Sequence, residues 1–307
     1  MPDLSKRIAD LPPARREAFE RLLRNETAPP HREQAPPNAE LVFETGSSPA
    51  EIKSGYRRFY NSVSEQLNTS VFGDFAFFLN YGYAPDHNLQ YSPVQLPDHY
   101  LNRNSVKLVL ELIGDCDLTD KRILDVGCGR GGTVSVIHTY FAPRSLTAID
   151  LSSSAITFCR SAHRQTGAIF LEADAEALPF GGATFDIVTN VESSHSYPDL
   201  ERFYKEVFRV IAPGGHFLYT DVLPVARMKE CTQILQGIGF CVQIVRDITP
   251  NVLLSCDQIA HARLGAFDKD RASETITEFL ALPGSDAYQE MAQGLSIYNM
   301  FKLKKGN

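Results

Sequence analysis

Hydrophobic positions along this chain change rhythm repeatedly. Short apolar runs, too short for helices, occur at Ile123-Leu124-Asp125-Val126 and at 145–150, 168–175, 183–190 and 216–221. Between them apolar residues recur at three- and four-residue spacing, as in Leu200, Phe203, Tyr204, Val207, Phe208 and Ile211. A short continuous run or period two reads as strand and period 3.6 as helix, so strand and helix alternate. Further on, the pattern predicts a helix over 225–238, a strand over 240–245, a helix over 250–264 and an alternating strand over 296–303. Seven strands interleaved with helices predict an α/β fold: a Rossmann-like, doubly wound and mostly parallel sheet.

The first hundred residues follow other rules. Leu11-Pro12-Pro13 opens a short helix predicted to run to Arg24, and residues 25–40 have the Pro, Glu, Asn and Ala content of a linker. The alternative is a disordered tail with one transient helix. Ser48-Pro49-Ala50-Glu51 is a capping box. The helix it opens carries Ile52, Tyr56, Phe59, Tyr60, Val63 and Leu67 on one face. Aromatics then crowd the segment, from Phe72, Phe75, Phe77 and Phe78 through Tyr81 and Tyr83 to Tyr91 and Tyr100. They predict either core packing against the sheet or a lid whose inner wall excludes water. Residues 1–47 are therefore read as helix and linker, 48–104 as a helical aromatic lid and 105–307 as the core, which begins with an apolar helix around Val106, Leu108, Val109, Leu110, Leu112 and Ile113.

Composition narrows the function classes. Hydrophobic residues make up 43% and charged residues 22% of 307, ordinary for a globular protein. A net charge of −7 argues against an electrostatically driven nucleic-acid binder. Six scattered cysteines contain no C-x-x-C pair, so neither a disulfide framework nor a zinc site is expected. The N-terminus has no signal-like apolar stretch and no run approaches a membrane span, so the expected location is the cytoplasm.

The candidate chemistry begins where the strand at 123–126 ends. Gly127, Gly129 and Gly132 satisfy G-x-G-x-x-G, which admits a dinucleotide dehydrogenase. Asp125, two places before the first glycine, favours a different ligand, because a carboxylate there can engage the ammonium of an amino-acid-like cofactor. Asp150, about 20 residues past the glycines, is placed for ribose hydroxyls and suits either cofactor. The later signals separate the two. Asp174-Ala175, Leu178-Pro179-Phe180, Phe185-Asp186 and Ala212-Pro213-Gly214-Gly215-His216-Phe217-Leu218 follow in order. With Asp125-Val126-Gly127-Cys128-Gly129 they resemble the motif series of the class I S-adenosylmethionine-dependent methyltransferases over about 105–221. The resemblance implies an antiparallel last strand. It also implies S-adenosylmethionine as cofactor, with Asp125, Gly127 and Gly129 at its methionine end, Asp150 and Leu151 at the ribose, Asp174 and Ala175 at the adenine, and Asn190 on the same side.

The acceptor in such folds lies beyond the carboxyl ends of the fourth and fifth strands. There the chain reads Asn190-Val191-Glu192-Ser193-Ser194-His195-Ser196-Tyr197-Pro198, without the (Asp/Asn/Ser)-Pro-Pro-(Tyr/Phe) tetrad of amino and base methyltransferases and without a metal-ligating acidic cluster. This run, with 59–67 and 78–83, resembles O-methyltransferase domains of modular polyketide synthases and their stand-alone relatives in natural-product and mycobacterial lipid pathways. The resemblance implies a hydroxyl acceptor, polyketide-like or lipid-like and in some cases carrier-bound, with neighbouring synthase domains as possible partners. An alcohol needs a base, and histidine titrates in the useful range. His195 is the expected base. Glu192 lies one helical turn before it and is expected to support the imidazolium. The alternative has His195 capping the following helix and Glu192 solvated. C- or N-methyl transfer to a small metabolite, and a catalytically silent scaffold, are the competing functions.

Overall fold

The computed structural model describes residue 16 and residues 46–70, 73–84, 94–96, 102–266 and 274–306. Apart from Arg16, which is helical, the helix expected over 11–24 and the linker over 25–40 lie outside the described residues, as do Phe72, Tyr91 and Tyr100.

Seven strands form one sheet. They are β1 (Arg122–Val126), β2 (Ser145–Asp150), β3 (Ile169–Glu172), β4 (Phe185–Val191), β5 (Ile211–Pro224), β6 (Phe240–Asp247) and β7 (Ser296–Lys305). Their order is β3-β2-β1-β4-β5-β7-β6, and β7 runs antiparallel to both its neighbours. The order reverses between β1 and β4, which is where a ligand crevice opens at the carboxyl ends of the strands. The expected sheet is the observed one.

Helices cover both faces. α1 (Pro49–Thr69) comes first, then α2 (Arg103–Ile113), α3 (Gly132–Tyr140) and α4 (Ser153–Ala162). They are followed by α5 (Leu200–Val210), α6 (Val225–Ile238), α7 (Thr249–Ala266), α8 (Glu274–Phe279) and α9 (Asp286–Ala292). One core packs α2, α3 and α4 on the sheet through residues such as Leu108, Val109, Ile137 and Ile156. The opposite core packs α5 and α6 through Phe203, Val207, Cys231 and Leu235. The period-3.6 stripe of α5 explains its placement: Leu200, Phe203, Tyr204, Val207 and Val210 are all buried. Each large apolar side chain so buried contributes about 1.5–3 kcal/mol.

Two local departures have plain causes. The fifth strand begins at Ile211 rather than His216, because Pro213-Gly214-Gly215 forms an irregularity within it: Ile211 lies opposite Phe185, and pairing resumes with His216 opposite Ile187. Helices α8 and α9 carry no apolar pattern long enough to announce them.

α1 starts on the expected capping box, with the Glu51 amide donating to Ser48 Oγ and the Ser48 amide to Glu51 Oε2. Its Phe59, Val63 and Leu67 form a third core with Ile276 and Leu280 of the 274–280 segment. Arg130, in the turn after β1, fastens this layer to the sheet. Its guanidinium is fully buried and donates to the carbonyls of Ser64, Gly73 and Ala76, to Ser64 Oγ and to Asn68 Oδ1, at 2.6–3.0 Å. It also lies 3.5 Å over the Phe158 ring.

Candidate active site

An open cleft of about 1180 Å³, counting its mouth, lies at the carboxyl ends of β1, β2 and β4. Its floor is the glycine turn and the ends of β2 and β3. Its roof is Lys53, Tyr56, Tyr60 and Ser64 of α1, residues 77–81 and Phe279. Among aromatics of the 48–104 segment, Phe59 and Phe75 are buried away from the cleft, Phe77 and Tyr81 are buried and line it, and Tyr56, Tyr60 and Phe78 line it with partly exposed side chains.

The glycine turn has the backbone only glycine adopts freely. Gly127 sits at φ +70, and a Cβ there would come within 2.2 Å of Ser193 Oγ and 2.6 Å of the Tyr197 hydroxyl. Gly129, at φ +51, faces open space with Leu79 as its nearest neighbour at 3.5 Å. No side chain caps the helix that follows, so its first amides face the cleft end of the turn.

Six of the eight expected cofactor residues line this cleft: Gly127, Gly129, Asp150, Leu151, Asp174 and Ala175. Asp150 accepts from the Gly129 amide on one oxygen and from the Ser152 amide on the other, each at 2.8 Å. Each carboxylate oxygen retains a lone pair for a hydroxyl donor. Asp174 accepts from Lys53 Nζ of α1 at 2.6 Å, and Lys53 also reaches Glu176 at 2.8 Å.

Asp125 and Asn190 sit beneath the wall, with exposures of 1% and 0%. Asp125 Oδ1 accepts from Thr189 Oγ1 at 2.7 Å, and its Oδ2 is buried without a hydrogen-bond partner. Burial lifts this acid to about 7, against the Thr189 hydrogen bond. Asn190 donates to the Val126 carbonyl and to Ser193 Oγ, tying the β4 loop to the glycine turn. Paired acids at the ends of β1 and β2, one with an unsatisfied oxygen, together with bare turn amides form a donor set that fits an adenosine bearing an amino-acid tail.

On the acceptor side, the expected partnership of His195 with Glu192 is not what the fold builds. His195 Nδ1 lies 2.8 Å from Asp221 Oδ1, at the end of β5. The physical reason is backbone geometry. Glu192 is in the left-handed region at φ +49 and Ser193, at φ −141 and ψ −24, is neither helical nor extended, so no helical turn joins 192 to 195. The Glu192 carboxylate is sent the other way, where Oε2 accepts from the Tyr81 amide at 2.8 Å and the Tyr298 hydroxyl at 2.6 Å. His195 does not cap α5 either, since Asp199 does so by accepting from the Arg202 amide.

Asp221 is fully buried and well held. Its Oδ1 also accepts from the Val222 amide, and its Oδ2 from Ser194 Oγ at 2.6 Å and the His195 amide at 3.0 Å. Ser194 donates to the acid, the Tyr219 hydroxyl donates to Ser194, and Tyr204 donates to Tyr219. A carboxylate only accepts, so Nδ1 of the imidazole carries the proton and Nε2 is left with its lone pair. Burial works against charging the ring. The charge and hydrogen bond of Asp221, with the charge of Glu192, prevail and raise it above the ordinary imidazole value. Burial holds the Tyr60 and Tyr197 phenols well up, so both keep their protons.

Asp221, Lys53 and Phe279 are residues that sequence reasoning missed. An acid closing the strand beside β4 was the available signal for Asp221; Phe279 had none. Among the described residues no group of three His, Cys, Asp or Glu could hold a metal ion, and no helix is long and apolar enough to cross a membrane.

Residues 124–219 match the family model described as a methyltransferase domain. The fatty-acid O-methyltransferase of Mycolicibacterium smegmatis is 36% identical over 237 residues, 76% of this chain and 84% of the relative. The phthiotriol/phenolphthiotriol dimycocerosates methyltransferase of Mycobacterium tuberculosis is 37% identical over 213 residues, 64% of this chain and 78% of the relative. Among solved structures, the [4+2]-cyclase SpnF has a TM-score of 0.64 at 20% identity, covering 83% of this chain and 97% of its own. The StiE O-MT segment has 0.58 at 19%, covering 76% and 88%. At such identities these two speak for the fold alone. The motif series, the sheet order and the two mycobacterial relatives agree, and the chain belongs to the class I S-adenosylmethionine-dependent methyltransferases.

Proposed function

We propose that the chain is an O-methyltransferase that methylates a hydroxyl of a lipid-like or polyketide-like acceptor, with His195 as general base and Asp221 as its positioning acid. The observation that carries the reading is the imidazole on the cleft wall, Nδ1 committed to a buried carboxylate at 2.8 Å and Nε2 free to accept a proton. S-adenosylmethionine supplies an electrophilic methyl group. Asp125 and the amides around Gly127 and Gly129 hold its methionine end, Asp150 and Leu151 its ribose, Asp174 and Ala175 its adenine. Asn190 keeps the two loops in register. His195 Nε2 takes the hydroxyl proton as the oxygen attacks, and the Asp221 charge stabilises the imidazolium. The roof of α1 and Phe279 excludes water. The relatives named for fatty acids and for phthiotriol support a long-chain acceptor, whose oxygen is a carboxylate in the first and a hydroxyl in the second, and Phe78, Leu79 and Phe279 give such a chain an apolar wall whether it is free or carrier-bound.

The test is turnover of labelled cofactor with a panel of long-chain hydroxy-acyl esters and their carrier-bound forms. His195→Ala should lower kcat by about 10²–10⁴, with cofactor affinity unchanged. Because the base must be neutral to act, wild-type kcat/KM should rise with pH along a limb above the ordinary imidazole value. Asp221→Asn removes the charge that raises it, so its limb should move to lower pH and its plateau should fall. An unchanged kcat in His195→Ala overturns the reading.

A further inference from the structure

Though not paired with His195, Glu192 still lines the cleft three residues before it. Its side chain lines the cleft, fixed by the Tyr81 amide and the Tyr298 hydroxyl, on a left-handed backbone uncommon for a residue with a side chain. Three separate elements converge to hold one carboxylate there: the turn after β4, the roof segment and β7. The other charged groups around the cleft add to its sign. Asp150, Asp174 and Glu176 line the wall, with Asp221 behind His195. The lining cations are both committed elsewhere. Lys53 is held between Asp174 and Glu176, and the Arg130 guanidinium is spent on roof carbonyls.

We propose that Glu192 is an acceptor-selectivity residue: its charge at the acceptor end of the cleft admits a neutral hydroxyl and turns away a carboxylate on an otherwise identical chain. The inference rests on the hydroxyl methylation proposed above and adds the residue that turns away a carboxylate, the oxygen that the relative named for fatty acids would meet. The two reactions differ in their proton balance. With a hydroxyl, the C–S bond breaks with its electron pair going to sulfur, the new O–C bond forms, and the O–H proton passes to His195 Nε2. With a carboxylate, the same bonds form and break and no proton is released, so neither base nor supporting acids have work to do. A site that surrounds its base with Asp221 and Glu192 is built for the first reaction, and like charge opposes the second acceptor.

The test compares a long-chain alcohol with the fatty acid of equal length, at a pH on the plateau of the rate profile. For each, kcat/KM is measured in wild type, Glu192→Gln and Glu192→Asn. Asparagine tolerates the left-handed backbone, and melting temperature and cofactor affinity report that both variants fold. Wild type should prefer the alcohol. Both variants should shift the alcohol-to-acid ratio toward the acid by at least tenfold, with the fatty acid also becoming a tighter competitive inhibitor of alcohol methylation. An unchanged ratio in folded variants, or a wild type that methylates the acid as fast as the alcohol, overturns the inference and leaves O-methyl transfer standing. A wild type that binds cofactor and methylates neither overturns the reading beneath it.

Discussion

At the scale of single residues, the chain places its acids where folding alone would not want them. Asp125 is the clearest example. A carboxyl group raised to about 7 by burial is held protonated by the fold, whereas in the unfolded chain it titrates near 3.8. Its contribution to stability is therefore full below pH 3.8 and is lost as pH rises through 7. The loss is bounded at about 4 kcal/mol by 1.36 kcal/mol per unit. Asp125→Asn should accordingly raise the melting temperature of the cofactor-free protein at pH 8 and not at pH 4, while weakening cofactor binding by calorimetry. Lower stability of the variant at pH 8 would show that the acid has a partner in the free protein. The acids proposed for the cofactor were legible in the sequence because each stands at or just beyond the end of a strand in a recognisable series. The His195–Asp221 pair was not, because the acid stands 26 residues from the imidazole. It reaches the ring only through the register that sets Val191 beside Thr220. Spacing along the chain suggested Glu192, and a left-handed backbone at that residue undid the inference.

At the scale of elements, the roof and the glycine turn behave as one body. Arg130 stands in the turn yet gives its hydrogen bonds to α1 and to 73–76, and its burial lowers it to about 10. Arg130→Met should leave three roof carbonyls without this donor and cost about 3–6 kcal/mol at one to two kcal/mol for each group left unsatisfied. Limited proteolysis should then cut between α1 and α2 while the sheet stays protected. Equal protection in the variant would mean that the third core holds the roof unaided. Period and capping signals made α1, α5, α6 and the strands legible, with ends displaced by a few residues. They were silent on α8, a helix of six residues that nevertheless supplies Phe279 to the cleft. Short helices carry too few apolar repeats to stand out from loops.

At the scale of the whole molecule, the cofactor and acceptor sides are assembled from different stretches of chain. β1, β2 and β3 with the turns after them form the first from residues 122–175, with local parallel crossovers. The second needs β4 and β5 and also β7, whose Tyr298 holds Glu192 and lies opposite Val222, next to Asp221. Removal of residues 296–306 should abolish acceptor turnover and expose β5 and β6 as bare edges, read as loss of soluble protein or as dye binding to unpaired strands. A soluble, active shortened chain would show that the last strand is dispensable. Because β7 fills the gap between β5 and β6 rather than adding to an edge, its insertion makes the pairings of longest sequence separation within the sheet, which form slowly. During synthesis β1, β2 and β3 can pair as they emerge, whereas the setting of Glu192 and Asp221 waits for residues 296–305. Catalytic competence thus doubles as a signal that translation has run to the end of this sheet.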